Sequence, residues 1–317
     1  MNVTAILVQG GEVRRLGVEE ALGYDGPGFL WTNVESDDGD ELPQLIRPDI
    51  PDVAANALVA TETRPRCERI DQGAIVNLRG PAAAETDHSD RLVSIRMWAR
   101  AGRVDSAVRR PLAASAAVTA QMEAGRILDP GDLVTAYARE ISAALDPQVA
   151  DLGDQLDDCE SGLESANKFR LRTAITRIRS EAIAFRRFVA PDRDALIQLS
   201  AMDFDWLAED DKLHIREAAD RFARMTEELE AVRERSALLH EQLTDLRAEE
   251  IDQRSLLISV VAFIFLPLTF ITGLLGMNVD DIPYAHAPGA FWDVVGLCVL
   301  IGIGVLFWFV RRQWLRR

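Results

Sequence analysis

Residues 255–279, SLLISVVAFIFLPLTFITGLLGMNV, decide the fold, because this stretch of 25 positions contains no charged residue. At a rise of about 1.5 Å per residue, a helix of this length spans about 37 Å, more than the roughly 30 Å hydrocarbon core of a bilayer. A second apolar run follows at 294–310, and Phe291 and Trp292 extend it as interfacial aromatic residues do. The sequence therefore predicts two membrane spans, at about 255–277 and 291–310, joined by a loop over 278–290.

Basic residues flank the two spans on one side only. Arg247 and Arg254 precede the first span, whereas residues 278–293 between the spans contain neither Lys nor Arg. Segments rich in Lys and Arg stay on the cytoplasmic side of a membrane. We therefore expect an integral protein of the inner (plasma) membrane, with both termini in the cytoplasm and the loop outside. Four further arginines follow the second span: Arg311, Arg312, Arg316 and Arg317.

The whole chain is acidic, with 51 Asp and Glu against 35 Lys and Arg and a formal net charge of −16. This balance disfavours nucleic acid as a partner, since nucleic-acid binding needs a basic footprint, and it attracts cations. Three cysteines at irregular spacing, Cys67, Cys159 and Cys298, give no disulfide framework and fit a reducing compartment.

Motifs of catalysis and of fixed metal binding are absent from the sequence. There is no glycine-rich phosphate loop, no G-x-S-x-G and no H-E-x-x-H segment. We therefore expect neither an enzyme nor a bound cofactor. Of the histidines, His286 is the one to test as a transient cation ligand, because it lies in the predicted external loop with Asp280 and Asp281. The others are interpreted as ordinary surface or packing residues: His88, His214 and His240.

Residues 1–200 predict an α/β domain that ends in a helical hairpin. A helix at 51–60 is expected to use Asp52 as its cap, and a later long helix is expected to begin at Asp129-Pro130. Short β-type runs bounded by turn residues predict the strands: 3–8, 28–34, 67–71, 74–79, 92–98 and 103–109.

Two neighbouring helical segments carry opposite charge. Residues 151–160 are acidic, and residues 167–189 form a basic helix that Pro191 is expected to interrupt or restart. The simplest interpretation is an antiparallel hairpin in which the two charges pair. A regulatory cation site in the acidic segment is the alternative.

Residues 201–254 predict the cytosolic part of one long helix that continues into a membrane domain at 255–317. Neither Pro nor Gly occurs from 207 to 266, so the helix is expected to run from about 210 to 277. Apolar residues recur in it at steps of three and four, which predicts a packing seam of the coiled-coil type: Ile215, Ala218, Phe222, Met225, Leu229, Val232, Ser236, Leu239, Leu243 and Leu246.

Residues 265–278, FLPLTFITGLLGMN, resemble the CorA family of divalent-cation transporters, in which a Gly-Met-Asn tripeptide ends the first of two C-terminal spans. The resemblance covers the whole layout, from the cytosolic α/β domain and the long helix to the two spans and the basic tail. Residues 61–66, TETRPR, and 186–194, RRFVAPDRD, are similar to the zinc-transporting ZntB branch of that family.

The resemblance implies a funnel-shaped homopentamer in lipid, since two spans cannot enclose a pore and the family lines its pore with the first span. Helical spacing then selects a mostly small and hydroxyl-bearing face, with Leu266 as a hydrophobic constriction. Small residues have a second interpretation, because they also permit close helix packing. The expected pore-lining residues are Asp252, Ser255, Ser259, Ala262, Leu266, Thr269 and Gly273. Three acids on the same line would form a cytosolic vestibule that attracts cations, although a solvated face explains them as well: Glu234, Glu241 and Asp245.

The resemblance also implies a selectivity site at the outer mouth, formed by Gly276, Met277 and Asn278. Asn278 would present carboxamide oxygens to the hydration shell of a divalent cation, and Asp280 and Asp281 would concentrate cations outside. The expected cargo is Zn²⁺. The same two aspartates are similar to the acidic loop of Mg²⁺/Co²⁺ members, so a Mg²⁺/Co²⁺ channel is the alternative. The second alternative is a membrane-anchored coiled-coil sensor or scaffold without transport.

Overall fold

The computed structural model of the chain describes residues 2–36, 47, 49–61, 64–83, 92–163, 168–277 and 288–314. The chain divides into two compact units, Met1–His240 and Glu241–Arg317. The first unit contains the β-sheet, and the second contains the most apolar helical segments. The domain boundaries expected near residues 200 and 254 remain predictions.

A mixed sheet lies in the first unit. Its described strands are β1 (Asn2–Gln9), β2 (Glu12–Arg15), β3 (Phe29–Glu35), β4 (Arg66–Ile70), β5 (Gly73–Pro81), β6 (Leu92–Arg100) and β7 (Arg103–Val108). They pair in the order β2-β1-β3-β7-β6-β5-β4, and every pair is antiparallel except β3–β7. The sequence predicted all but β2, which is four residues long, mostly exposed and at the edge of the sheet.

The described helices follow the predicted order, with one short helix in addition. They are α1 (Val18–Gly23), α2 (Asp52–Val59), α3 (Ala113–Glu123), α4 (Pro130–Ser161), α5 (Lys168–Ser200), α6 (Glu209–Leu275) and α7 (Ala290–Trp314). Helix α1 was not predicted, because six residues are too few for a clear helical period.

Helix α2 covers part of one face of the sheet. Side chains alternate between the faces of a strand, so Ile75 of β5, Trp98 of β6 and Ala107 of β7 lie on the same side. They form one buried cluster with residues of α2 that include Leu58. Further along the strands, beyond the end of α2, the same face carries polar residues.

The helix starts confirm one predicted cap and correct another. Asp129 is the N-cap of α4, its carboxylate accepts the Asp132 N–H at 2.9 Å, and Pro130 is the first helical residue, as predicted. At α2 the prediction was wrong. Pro51 occupies the N-cap position without a side-chain hydrogen bond, and Asp52 is the first residue of the helix, where its charge favours the helix dipole.

The expectation that Pro191 interrupts or restarts the basic helix is wrong, because α5 continues through it to Ser200. A proline inside a helix removes the hydrogen bond to the carbonyl four residues earlier. Burial on both sides of the proline offsets this loss, since Val189 and Leu196 are both fully buried.

Helix α6 confirms the long helix, which runs from Glu209 to Leu275 with Pro267 inside it. In the first unit the predicted seam is buried, and Ile215, Phe222 and Leu229 are each 0 % exposed. The apolar spacing therefore predicted the packing face of this helix correctly.

Candidate functional site

The candidate site lies on the apolar part of α6, in the second unit. The helix is continuous up to Leu275, and the Gly276 N–H extends its hydrogen-bond pattern by donating to the Thr272 carbonyl at 2.9 Å. Helices α6 and α7 are both long and apolar enough to cross a membrane, and none of the apolar window of either is buried within the chain. Both segments therefore need lipid or other protein around them.

Every residue of the expected pore line is exposed in the single chain. Leu266 is 75 % exposed, although it is the largest apolar side chain of the line. Its side chain lies beside Phe263, Pro267 and Phe270 around a shallow apolar recess. The exposed line consists of Asp252, Ser255, Ser259, Ala262, Leu266, Thr269 and Gly273.

The partly buried residues of the same helix lie on the opposite face. Val260, Ile264, Pro267, Leu268 and Ile271 are half-buried, and at 100° per residue their mean direction lies roughly 140° around the helix from Leu266. Helix α7 has a comparable half-buried stripe: Val294, Val295, Cys298, Ile301, Gly302 and Val305. The exposed line of α6 is therefore separate from the face that the chain itself shields.

Hydroxyl groups on the exposed line are held in place by the helix backbone. The Ser259 hydroxyl donates to the Ser255 carbonyl at 2.9 Å, and the Thr269 hydroxyl donates to the Phe265 carbonyl at 2.8 Å. Donation uses the proton and leaves lone pairs of each oxygen available as acceptors. The line can therefore offer fixed oxygen atoms to a hydrated cation.

Pro267 changes the backbone chemistry beside this line. Proline has no N–H, so the Phe263 carbonyl, four residues earlier, receives no helical hydrogen bond from it. A backbone carbonyl without its helical partner in an apolar segment is a further oxygen dipole for a cation or for water.

The acids expected at the cytosolic end are exposed as well. Glu241, Asp245 and Asp252 are exposed in the second unit. Glu234, in the first unit, is an exposed residue whose carboxylate lies 4.0 Å from the Arg233 guanidinium. The other expected site residues, Asn278, Asp280, Asp281 and His286, lie outside the described residues.

The acidic segment of α4 pairs with a helix other than the one expected. Asp157 and Glu160 accept from the Arg235 guanidinium of α6 at 2.6 and 2.7 Å. Between α4 and the basic helix α5, the Arg177 guanidinium donates to the amide oxygen of Gln155. The predicted hairpin of α4 and α5 forms, but these two carboxylates pair with α6, because the buried seam brings that helix alongside.

A cluster of carboxylates that sequence reasoning missed joins the starts of α4 and α6. One oxygen each from Asp129, Asp132 and Asp211 lie within 4.8 Å of one another. Burial is the first cause that raises the pKa of Asp211 to about 6, and the charge of Asp129 adds to it. Each carboxylate accepts a backbone N–H, so the cluster has a structural role as helix caps. No pattern in the sequence predicts that Asp129 and Asp211 lie close together, because 82 positions separate them.

Comparison with known proteins places the chain in a family. The family model described as "CorA-like Mg2+ transporter protein" matches residues 26–312. The zinc transport protein ZntB of Pectobacterium carotovorum subsp. carotovorum (strain PC1) is 30% identical over 311 residues, which cover 96% of this chain and 93% of the relative. The divalent cation transporter CmaX of Pseudomonas aeruginosa is 35% identical over 274 residues, covering 83% and 80%.

Solved structures agree with this placement. The structure of full-length CmaX matches with a TM-score of 0.81 and 29% identity, covering 98% of this chain and 97% of that one. The CorA magnesium transporter of Methanocaldococcus jannaschii matches with a TM-score of 0.82, covering 98% of both chains, and at 17% identity it supports the fold alone.

The fold and the two apolar helices define an integral membrane protein of the transporter class. Within that class, the chain belongs to the CorA-like Mg²⁺ transporter family, whose members move divalent cations.

Proposed function

We propose that this chain carries Zn²⁺ across the inner membrane through a homopentameric pore lined by the apolar part of α6. The observation that carries the proposal is the exposed line from Asp252 to Gly273, which is small or oxygen-bearing except at Leu266. Two relatives named as zinc transport proteins, each 30% identical and covering 96% and 84% of this chain, support Zn²⁺ as the cargo.

A pore requires several copies of the chain. Two helices cannot surround a water-filled path, so the line must face the same line of neighbouring copies. The half-buried stripes of α6 and α7 leave this line uncovered within one chain, which supports its use between copies. Five copies would place five Leu266 side chains at one level as an apolar constriction that closes by excluding water.

The outer mouth is assigned to Gly276, Met277 and Asn278, with Asp280 and Asp281 next to it in sequence. Neutral amide oxygens suit a divalent cation that keeps part of its hydration shell, because they bind it without trapping it.

Orientation with both termini in the cytoplasm rests on the arginines that flank the spans, including Arg254 and Arg311. In this orientation, a potential of 100 mV, negative inside, favours entry of a divalent cation by about 4.6 kcal/mol, twice the value for one charge. The exposed acids Glu241, Asp245 and Asp252 would then face the cytoplasmic end of the path.

A Mg²⁺/Co²⁺ channel is the second candidate. The family model carries a Mg²⁺ name, and Asp280 and Asp281 give the predicted outer loop a negative charge. No soft ligand lies among the described residues of the line, so coordination chemistry alone does not select Zn²⁺.

Uptake into proteoliposomes that contain the purified full-length protein tests the proposal. Zn²⁺ and Mg²⁺ uptake are compared for the wild type, for Asn278→Ala, and for Gln253→Ala, an amide control that helical spacing places off the line. We expect Zn²⁺ uptake that Asn278→Ala reduces strongly and Gln253→Ala leaves unchanged. Mg²⁺ uptake with little Zn²⁺ uptake would favour the second candidate. A verified oligomer that moves neither ion would favour a sensor or scaffold.

A further inference from the structure

The sheet face that α2 covers in part continues into a pocket rich in arginine. The pocket has a volume of about 540 Å³ and lies wholly within the first unit. Its described wall contains neither Asp nor Glu, in a chain whose formal net charge is −16. Guanidinium groups from several elements line it: Arg64, Arg79, Arg96, Arg109, Arg110 and Arg187.

Two sequence motifs that the transport path does not use meet in this pocket. Thr61 and Arg64 come from the segment TETRPR, and Arg187 and Phe188 come from the segment RRFVAPDRD. More than a hundred positions separate the two segments in the sequence. Their convergence on one cavity gives them a shared location within the first unit.

Two of the arginines are fixed by the end of α2. Arg96 Nη1 donates to the Ala60 carbonyl at 2.6 Å, and Arg109 Nη2 donates to the Val59 carbonyl at 2.9 Å. Cationic groups are favourable beside the carbonyls at a helix C-terminus. These bonds hold both guanidinium groups without cancelling their charge, because each partner is a neutral carbonyl.

Buried polar atoms around these arginines lack partners. Arg96 is only 2% exposed, and Nε of Arg109 is buried without a hydrogen bond among the described residues. Asn77, the cross-strand neighbour of Arg96, is 1% exposed, and both polar atoms of its amide lack hydrogen bonds there. Buried donors without partners cost free energy, so this region favours an anion that accepts from them.

The electrostatics of Arg96 also favour a bound anion in the pocket. Burial lowers the pKa of Arg96 to about 10, and the positive charge of Arg109 adds to that effect. A bound anion would favour the charged guanidinium and so oppose the lowering of the Arg96 pKa.

An aromatic ring orients one further arginine. The Arg79 guanidinium lies 4.1 Å from the centre of the Phe188 ring. This cation–π contact and a hydrogen bond from Arg79 Nη2 to the Leu92 carbonyl at 3.3 Å hold the guanidinium at the pocket wall.

We propose that this arginine pocket binds the phosphate group of a small phosphorylated anion. The planar fork of arginine matches the oxygens of a phosphate in pairs, and lysine, which lacks that fork, is absent from the described wall. Thr61 adds a hydroxyl donor. The volume falls within the range of about 300–1,000 Å³ that is usual for small-molecule sites.

Calorimetric titration of the purified full-length protein in detergent tests the proposal. The probes are inorganic pyrophosphate and ATP, each in EDTA at constant ionic strength, so that chelation of a transported cation plays no part. Arg187→Gln and Arg64→Gln are the test variants, because both side chains are exposed and their loss should not disturb folding. Arg179→Gln is the matched control, since Arg179 is an exposed residue of the same helix outside the pocket.

We expect saturable binding that each test variant weakens by at least about tenfold and that the control leaves unchanged. Similar binding of both probes identifies the phosphate as the recognised group, whereas binding of ATP alone means that the nucleoside is recognised as well.

Three results would overturn the proposal. The first is that neither probe binds at millimolar concentration. The second is that Arg179→Gln weakens binding as much as the test variants do. The third is that chloride binds with the same heat and affinity as the phosphate probes.

Discussion

The Asp192 carboxylate accepts the backbone N–H of Arg79 at 3.0 Å and thereby ties α5 to β5. Asp192 is 0% exposed, and its second oxygen makes no hydrogen bond among the described residues. Burial raises the pKa of this carboxyl well above its usual value. The bond connects a helix that passes through Pro191 to the strand that supplies Arg79 to the arginine pocket.

Substitutions of Asp192 should separate the hydrogen bond from the charge. Asp192→Asn keeps an acceptor for the Arg79 N–H and removes a buried ionisable group, so we expect its free energy of unfolding at pH 7 to equal or exceed that of the wild type. Asp192→Ala leaves the N–H unsatisfied and should cost about 1–3 kcal/mol. Urea unfolding followed by tryptophan fluorescence measures both. An Asn variant as unstable as the Ala variant would contradict this explanation.

The carboxylate of Asp211 should make stability depend on pH. Its pKa is about 6 in the folded protein against an ordinary value of 3.8. As pH rises from about 4 to about 6, the carboxyl loses its proton in the unfolded state before it does so in the folded state. The folded state is therefore destabilised relative to the unfolded state, and this loss of stability persists above pH 6. Asp211→Asn keeps an acceptor for the Ala208 N–H and should be more stable than the wild type at pH 8, on the order of 2 kcal/mol.

Thermal melts of the full-length protein from pH 4 to pH 8 measure this difference, which should vanish near pH 4. Asp220→Asn, at an exposed position on the same helix, is the control and should keep the pH dependence of stability that the wild type has, because Asp211 is still present. A stability difference between Asp211→Asn and the wild type that stays constant from pH 4 to pH 8 would contradict the assignment of this pH dependence to Asp211.

Leu266 should limit conduction if its side chains form the proposed constriction. Leu266→Ala shortens an exposed apolar side chain, so basal cation flux should rise several-fold as water enters the narrow level more easily. Leu300→Ala is the control, since Leu300 of α7 is 73% exposed and lies off the proposed line. Flux assays in proteoliposomes compare the two variants, and an equal change in flux would contradict the assignment of Leu266 to the conduction path.

The acids at the cytosolic end of α6 should act through long-range attraction. Neutralising Glu241, Asp245 and Asp252 together should lower flux from the cytosolic side at low ionic strength, and the difference should shrink in high salt as the Debye length falls to a few ångström. A control that removes three exposed charges of α6 within the first unit, at Asp210, Glu217 and Asp220, should leave flux unchanged. A loss of flux that is independent of salt would contradict the electrostatic role.

Local pattern predicted most of the elements of this fold. Strand alternation located β1 and β3 to β7, the Asp129-Pro130 cap located the start of α4, and the three-four spacing located the buried seam of α6. Each of these signals depends on neighbours within a few positions. Pro191 was misjudged because the burial that keeps α5 helical comes from strands distant in sequence.

The candidate path on α6 was likewise predicted from spacing alone, because its residues share one helix and helical geometry fixes their relative positions. The structure adds that this face is exposed while the half-buried residues of the segment lie on the other side of the helix.

By itself, the sequence determined the two spans, the long helix, the polar line along it and the family resemblance, since hydropathy and helical period act over short ranges. Only the tertiary structure decided that Arg235 pairs with Asp157, that Asp211 lies beside Asp129, and that two distant motifs form one arginine pocket. Contacts between residues far apart in the chain depend on how sheet and helices pack, and charge type alone does not select among many possible partners.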